Sequence, residues 1–562
     1  MSSASTIHRR WHAGSIAWGL LLAIWLGRVF FLHDPDWIHL THENVRIRSY
    51  SGRLLEFRDL LAAGYWSPQW ATHFHKGFGT PYFGYYQPGI FYLSSLVPWS
   101  LAPMRAFGVS VVVLAWLGYA ATYFLVRRWF GGLSGAFSGS LLLLSVYACT
   151  EIYLRGDFSE FAAMMLFPAA LCALAAWVED GKPSRIALLA VVAGALPVTH
   201  PAIGLVGYGV LGMLAVGLLA TPHRARAVGA LAALGVGVGL SAFYWMPVFL
   251  EWDLVSSSRA FTGFYDHSKH FVDVFALVGP YTRETPVPFT LGPLLPALVA
   301  INLVTGIVRR RRLDRAQSMA VVLAVAALVS MVFLMTEASA FVWAQLVPLQ
   351  RLQFPWRLLA LATVFAACLA GAMLPWPSER LRGAVLALVV GVALFTSQTY
   401  SRYTENSNAP KLPDVAAIEA FDFDPAGALE WMPLGAELRA VDLFESIPRA
   451  APGARVESFE RTQGRLRARV ESVSSSSVVF PHFAFSVGWT ATLGGAPIEI
   501  GQTSLGLMRF ELPAGSNGVL EARFSMTPMR AAGLRVSAAA AVVGVAVLLA
   551  ARRRSSANAE RS

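Results

Sequence analysis

Charge is scarce in this sequence. Of its 562 residues only 14% are Asp, Glu, Lys or Arg, against about 25% in a soluble globular chain. The shortage excludes an ordinary water-soluble fold and fits a chain whose solvent is mostly lipid. Cysteine is scarcer still. Cys149, Cys172 and Cys368 all lie inside apolar runs, so no disulfide framework exists. The formal net charge is +11, a sign that elsewhere points to nucleic acid. Here the basic residues form short clusters between apolar runs, so no nucleic-acid partner is expected. The apolar run after His8-Arg9-Arg10-Trp11 has no small-residue cleavage site. It reads as a first membrane helix rather than a leader.

What abounds is apolar side chain, 55% of the sequence. A helix needs about 20 such residues to cross a bilayer. Candidate spans are 13–32, 107–126, 131–150, 159–178, 186–199, 201–220, 225–247, 288–308, 316–336, 353–375, 383–398 and 534–551. Pro197-Val-Thr-His200-Pro201 predicts a tight turn between the fifth and sixth. Placing Arg9-Arg10 in the cytoplasm and alternating puts Arg127-Arg128, Lys182/Arg185, Arg224/Arg226, Arg309 to Arg312, Arg380/Arg382 and Arg552 to Arg554 on that same side, as positive-inside insertion requires. The agreement needs 86–105, with Pro88, Pro98 and Pro103, to be non-spanning. Both termini are then cytoplasmic in an inner (cytoplasmic) membrane. The loops 33–106, 151–158, 248–287, 337–352 and 399–533 are extracytoplasmic.

Residues 412–526 change character. Leu466 to Val470 and Leu507 to Leu512 alternate apolar and polar, the mark of half-buried strands. Gly464, Gly494-Gly495, Pro513-Ala-Gly515 and Asn517-Gly518 read as turns. The expected fold is a polytopic α-helical membrane protein of about twelve helices with a C-terminal extracytoplasmic β-sandwich. Its parts are a membrane domain over 1–398, a β-rich domain over 399–533, and a last helix with a basic cytoplasmic tail over 534–562.

Polar chemistry concentrates in the outer loops. The first begins His33-Asp34-Pro-Asp36-Trp-Ile-His39-Leu-Thr-His42-Glu43 and continues into an amphipathic helix, Leu54 to Leu61, ended by Gly64. The aromatic run Trp66 to Pro88, with Tyr85 and Tyr86, suits an interfacial belt or stacking on sugar rings. His39/His42 and His73/His75 have spacings open to zinc, but the pattern is generic and has no thiolate partner. Interfacial histidines in a polar loop explain them as well, and no residue is assigned to a metal. In Tyr153 to Glu160, Arg155 can pair with Asp157 or Glu160, or clamp a phosphate. Arg351 and Arg357, in Arg351-Leu-Gln353-Phe-Pro-Trp-Arg357, lie outside the cytoplasmic clusters, as an anion at the outer face would explain. His200 lies in the same region, where a hydrogen-bonded turn histidine is the plainer reading.

These residues together resemble the bacterial membrane proteins called 6-pyruvoyl-tetrahydropterin synthase-related. Trp66 to Pro88 is similar to their tryptophan-proline, glycine-tyrosine and tyrosine-tyrosine-proline pattern, and Tyr153 to Glu160 to their arginine-glycine-x-x-x-glutamate segment. Gln353 to Arg357 and Glu430-Trp431-Met432-Pro433 match two further signatures, and Val487 to Gly515 resembles the sandwich of YfhO-type proteins. The likeness covers nearly the whole chain. It implies nothing about pterins, since the three-histidine zinc layout of the soluble synthase is absent. It implies GT-C glycosyltransferase architecture and sugar transfer from a polyprenyl-phosphate donor to an envelope glycan or lipid acceptor. Glu43 is then the nearest match to the family's first-loop acid, with Asp34 and Asp36 competing, as base or as ligand of a divalent cation (magnesium or manganese). Arg155, Arg351 and Arg357 would hold the phosphate, with Asp157, Glu160, His200, Tyr85 and Tyr86 at the substrate. Two rival readings are a non-catalytic envelope assembly or scaffold protein and a transporter of lipid-linked intermediates. The near absence of charge from span centres weighs against the transporter.

Overall fold

A computed structural model describes residues 3–32, 44–279, 289–308, 313–372, 379–401, 431–444 and 447–559. Among the described residues, six helices are long and apolar enough to cross a membrane: Pro103–Phe130, Phe158–Asp180, Pro201–Ala220, Arg315–Met335, Pro355–Ala372 and Pro528–Leu549. Gly132–Leu143 with Val146–Arg155, bent by 42°, and Arg224–Leu240 with Ala242–Leu250, bent by 68°, bring the number to eight if each pair is one span. His12–Gly27, Pro183–Thr199, Leu294–Ile307 and Gly383–Gln398 are shorter apolar helices. Every predicted span falls on one of these segments. Four of the twelve are under 18 residues, too short to be counted as spans, so length and composition support six to eight crossings.

Local chemistry sets the helix ends. Gly131 and Gly181 have φ of 88° and 63°, a region that glycine enters without strain. The predicted turn at 197–201 is tighter than expected. Pro197 stays inside Pro183–Thr199, and the single extended residue His200 separates that helix from Pro201–Gly217. Pro201 at the first helical position loses no hydrogen bond. The amphipathic helix of the first loop is longer than predicted, Asn44–Ala62, and Gly64 follows it with φ of 89°. Residues 86–105 contain only the short helix Gly89–Ser95 before Pro103–Phe130 begins, so they do not span.

The C-terminal region holds two antiparallel sheets. We number the strands β1 Arg449–Ala450, β2 Ala454–Thr462, β3 Arg465–Ser472, β4 Ser476–Phe483, β5 Trp489–Leu493, β6 Ala496–Ile498, β7 Gly501–Gln502, β8 Leu507–Leu512 and β9 Asn517–Phe524. One sheet has the order β1-β4-β8-β7 and the other β2-β3-β9-β5-β6. The alternation read from sequence at 466–470 buries Leu466, Ala468 and Val470 together with Leu507, Phe510 and Leu512 in one apolar cluster fed by both sheets. Gly518, expected in a turn, is instead inside β9. The final helix begins at Pro528, six residues before the predicted span.

The aromatic run of the first loop is neither a lipid belt nor an open stacking platform. Trp66 is 81% exposed, but Trp70, Phe74, Phe78, Tyr82, Phe83 and Tyr85 are buried. Trp70, Phe78 and Tyr85 join the core of the sheet domain. Trp70 Nε1 donates to His482 Nε2 at 3.0 Å, and the other ring nitrogen of His482 meets the Gly77 carbonyl at 3.0 Å. A side chain on Gly79 would stand 2.5 Å from Trp70 Nε1 and 2.6 Å from His482 Cε1, and its φ is 73°, so only glycine fits. The run therefore docks the sheet domain on the helix bundle.

This dock needs His482 neutral, because Nε2 must accept while Nδ1 donates. Burial, aided by the Arg461 guanidinium, holds its pKa at about 3. The unfolded ring takes a proton near pH 6.5 and the folded ring refuses it. Stability from this group is therefore complete above about pH 6.5. It falls by about 1.4 kcal/mol per pH unit below that. His73 acts in the opposite sense. Burial opposes its protonation, but the Glu56 charge and hydrogen bond raise its pKa. The thermal midpoint of His482→Gln is expected to fall less than that of wild type between pH 7 and pH 5. Parallel curves would remove His482 from the acid response.

Candidate functional site

A wide π-helical turn, Thr150–Arg155, ends the bent pair and closes on Gly156 with φ of 64°. π-Turns recur at functional positions. Asp157 then caps Phe158–Asp180, its side chain accepting from the Glu160 backbone N–H at 3.1 Å. Within ten residues this geometry gathers Glu151, Arg155, Asp157 and Glu160. Arg155 Nη1 donates to Glu151 Oε1 and Oε2, both at 2.6 Å, and to Glu160 Oε2 at 3.1 Å. Arg155 Nη2 reaches Asp157 Oδ2 at 3.3 Å. The ring of Trp356 lies 4.5 Å from the Arg155 guanidinium carbon.

Two distant segments complete the cluster. Arg357, on the turn Pro355–Leu358, places Nε 3.3 Å from Glu160 Oε2. His200 Nε2 stands 3.8 Å from the same oxygen. The Tyr147 hydroxyl donates to Glu160 Oε1 at 2.5 Å. Glu160 is thus the hub of a buried network in which Glu151, Asp157, Arg155 and His200 are all at most 3% exposed and Arg357 is 8% exposed. Arg357 is oriented by Gln353, whose Oε1 accepts from Nη1 at 2.7 Å and whose Nε2 donates to the Ala260 carbonyl at 2.6 Å. Gln353 pays for this with φ of 65°, a left-handed backbone costing about 1–3 kcal/mol outside glycine.

The cluster brings together Arg155, Asp157, Glu160, His200 and Arg357, five of the residues expected at the substrate. Arg351 is not among them. It is exposed, with its guanidinium 5.2 Å from the Trp252 ring and 4.7 Å from Phe261, and no carboxylate lies within 4 Å of it among the described residues. Tyr85 is a packing residue: its hydroxyl donates to the Glu251 carbonyl at 2.7 Å and its ring stacks on Trp431 at 5.8 Å. Tyr86 pairs with the Tyr50 hydroxyl at 2.9 Å, and the Tyr50 ring contacts Phe158 beside the cluster. Asp34, Asp36, His39, His42 and Glu43 lie outside the described residues. His73 is paired with Glu56 and His75 is buried. Sequence reading missed Tyr147 and Glu151. The four-residue spacing of Glu151 and Arg155 was the available signal for one of them.

Ligand atoms of Asp157, Glu160 and His200 lie within 4.8 Å of one another, close enough to surround a cation. Their chemistry does not fit one. His200 Nδ1 accepts the Ile203 N–H at 3.2 Å, so the neutral ring carries its proton on Nε2 and has no lone pair there for a metal. Both carboxylates are already answered by Arg155 and Arg357. No catalytic step is routed through a metal at this cluster.

Among solved structures the chain is similar to the arabinofuranosyltransferase AftD from Mycobacteria, with 18% identity and a TM-score of 0.45, over 71% of this chain and 27% of that one. It is also similar to the oligosaccharyltransferase of Archaeoglobus fulgidus tethered with an acceptor peptide, with 11% identity and a TM-score of 0.43, over 78% of this chain and 61% of that one. The chain thus spans about a quarter of the length of the first and three fifths of the second. No curated protein matches it. A family model described as "6-pyruvoyl-tetrahydropterin synthase related domain; membrane protein" matches residues 83–404. That stretch is more than half of the sequence and holds every described member of the buried cluster, so the chain belongs to the 6-pyruvoyl-tetrahydropterin synthase related family of membrane proteins.

Proposed function

We propose that this protein is a membrane glycosyltransferase of GT-C type. It moves a sugar from a polyprenyl-phosphate donor to an envelope glycan or lipid acceptor at the outer face of the inner membrane, with both termini cytoplasmic. The supporting observation is that the motifs of Arg155 to Glu160 and Gln353 to Arg357, nearly two hundred residues apart, meet in one buried cluster at Glu160. Ionisable groups gathered inside a membrane protein are costly and mark function.

In this reading Glu43, or Asp34 or Asp36 in its place, takes the proton of the acceptor hydroxyl. The acceptor oxygen bonds to the sugar's anomeric carbon as the bond from that carbon to the donor phosphate breaks, and the phosphate leaves with the electron pair. One base suffices for such an inverting transfer. The guanidinium most available to the phosphate is Arg351, which has no carboxylate partner among the described residues and lies over two rings. Arg155 and Arg357 are held by Glu160, so the cluster positions more than it binds. That internal saturation also favours a second reading, in which the network only braces a scaffold protein.

One experiment separates the two. Purified protein in proteoliposomes is given a radiolabelled polyprenyl-phosphate sugar and an envelope extract as acceptor. Glu43→Gln is expected to lose transfer by about 10²-fold or more, the usual effect of removing a general base, with its thermal midpoint unchanged. Wild-type turnover in that variant would remove Glu43 from the reaction. No turnover by wild type across donors, with full rescue of a deletion phenotype by the variant, would support the scaffold.

A further inference from the structure

One buried cation in the first loop has no counter-charge among the described residues. Arg58 lies on Asn44–Ala62 and is 2% exposed. Its Nη2 donates to the carbonyl of Ser94 at 2.8 Å and to that of Val97 at 3.5 Å, at the C-terminal end of Gly89–Ser95. Its Nε and Nη1 are buried and make no hydrogen bond among the described residues. No carboxylate stands within 4 Å of it among the described residues. Burial alone shifts its pKa, downward, with no acidic group opposing the shift. A buried guanidinium without a counter-charge is costly to keep ionised. Arg155, by contrast, is answered by three carboxylates, and both Nη atoms of Arg530 donate to backbone carbonyls.

The surroundings say where an anion would come from. Ser94 Oγ bonds Ser110 Oγ at 2.9 Å. Ser110 is seven residues into Pro103–Phe130, roughly 10 Å along it at 1.5 Å per residue. Arg58 therefore sits about two helical turns from the N-terminal end of that span. The chain beside it exposes Leu96 by 83% and Trp99 by 48%, apolar and amphipathic residues suited to the membrane boundary. The Trp99 ring lies 5.9 Å from the Arg58 guanidinium carbon, and its indole N–H donates to the Ser95 carbonyl at 2.9 Å. The Ser95 hydroxyl, on the same turn, is also buried without a partner among the described residues.

We propose that Arg58 receives the phosphate of a membrane phospholipid at the rim of the first loop, entering past Trp99 between the loop and Pro103–Phe130. The unspent guanidinium N–H groups supply charge-assisted hydrogen bonds to the phosphate oxygens. The Ser95 hydroxyl adds a donor, and Leu96 and Trp99 cover the upper acyl chains. This site is separate from the Glu160 cluster, and it stands whether or not the protein transfers sugars.

The test uses the full chain purified in a neutral detergent and reads the thermal unfolding midpoint. Phosphatidylglycerol, diacylglycerol and inorganic phosphate are added separately to wild type, Arg58→Lys and Arg58→Gln. Phosphatidylglycerol is expected to raise the wild-type midpoint by several degrees and diacylglycerol to leave it unchanged. The phosphatidylglycerol response should fall by at least half in Arg58→Lys, which keeps the charge but loses the planar donors, and vanish in Arg58→Gln. Equal responses to the two lipids, or an undiminished response in both variants, would overturn the proposal. A full response to inorganic phosphate alone would overturn the lipid assignment. Should the variants not fold, native mass spectrometry of wild type decides. Retained phospholipid supports the site, and its absence at saturating phosphatidylglycerol refutes it.

Discussion

Replacing Glu160 by glutamine is expected to cost about 3–5 kcal/mol of folding stability, the usual penalty for removing one member of a buried ion pair. The amide keeps the shape but cannot answer Arg155 at 3.1 Å and Arg357 at 3.3 Å. It also turns the short Tyr147 contact at 2.5 Å from a bond to a charge into a neutral one. Glu151 remains for Arg155, so the larger loss falls on Arg357. The check is a double-mutant cycle in detergent: Glu160→Gln, Arg357→Gln and the pair. The double variant should be less damaged than the sum of the singles, because it removes both members of one pair. Strict additivity would mean that the two groups do not interact. A Glu160→Gln protein as stable as wild type would show that the cluster does not hold the helices together.

The second large effect is expected at Arg530. Its side chain is 1% exposed and lies just inside the final helix. Nη1 donates to the Phe243 carbonyl at 2.7 Å, and Nη2 to those of Pro68 and Phe83 at 3.0 Å each. One guanidinium therefore ties the first loop to the bend between Arg224–Leu240 and Ala242–Leu250 and to the last helix. Beside it Thr527 binds Glu251 at 2.9 Å and the Gln69 side chain at 3.1 Å. Arg530→Met preserves much of the bulk but leaves three carbonyls unanswered, each at about 1–3 kcal/mol. The expected result is a loss on the order of 3–9 kcal/mol, with protease cleavage appearing first in the first loop. A cleavage pattern and thermal midpoint like those of wild type would disprove this tie.

The helices were legible because a span is a local property. Twenty apolar residues between arginine clusters announce themselves without reference to the rest of the chain. The strands at 465–472 and 507–512 were legible for the same reason, since alternation with a period of two is written in neighbouring residues. The lengths of the shorter helices were less so. Hydropathy marks where apolar chain lies, while caps and packing decide how much of it is helical, as His200 shows by ending one helix and starting another. The aromatic run was read correctly as unusual and wrongly as surface. Nothing local says that Trp70 will meet His482, 412 residues away.

The candidate site divides along the same line. By itself the sequence determined that Arg155, Asp157 and Glu160 stand together, because a glycine and a helix cap join them within six residues. It determined that Arg357 and Arg351 share one short segment, but not that Gln353 turns Arg357 inward while Arg351 stays out over Trp252. Tertiary packing alone decided that His200 and Arg357 converge on Glu160, that Arg530 pins the first loop, and that Arg58 is buried without a counter-ion among the described residues. The physical reason is that helix formation and membrane insertion depend on neighbours along the chain. Pairing a buried charge depends on which helix faces are pressed together, and that is settled only when the whole bundle closes.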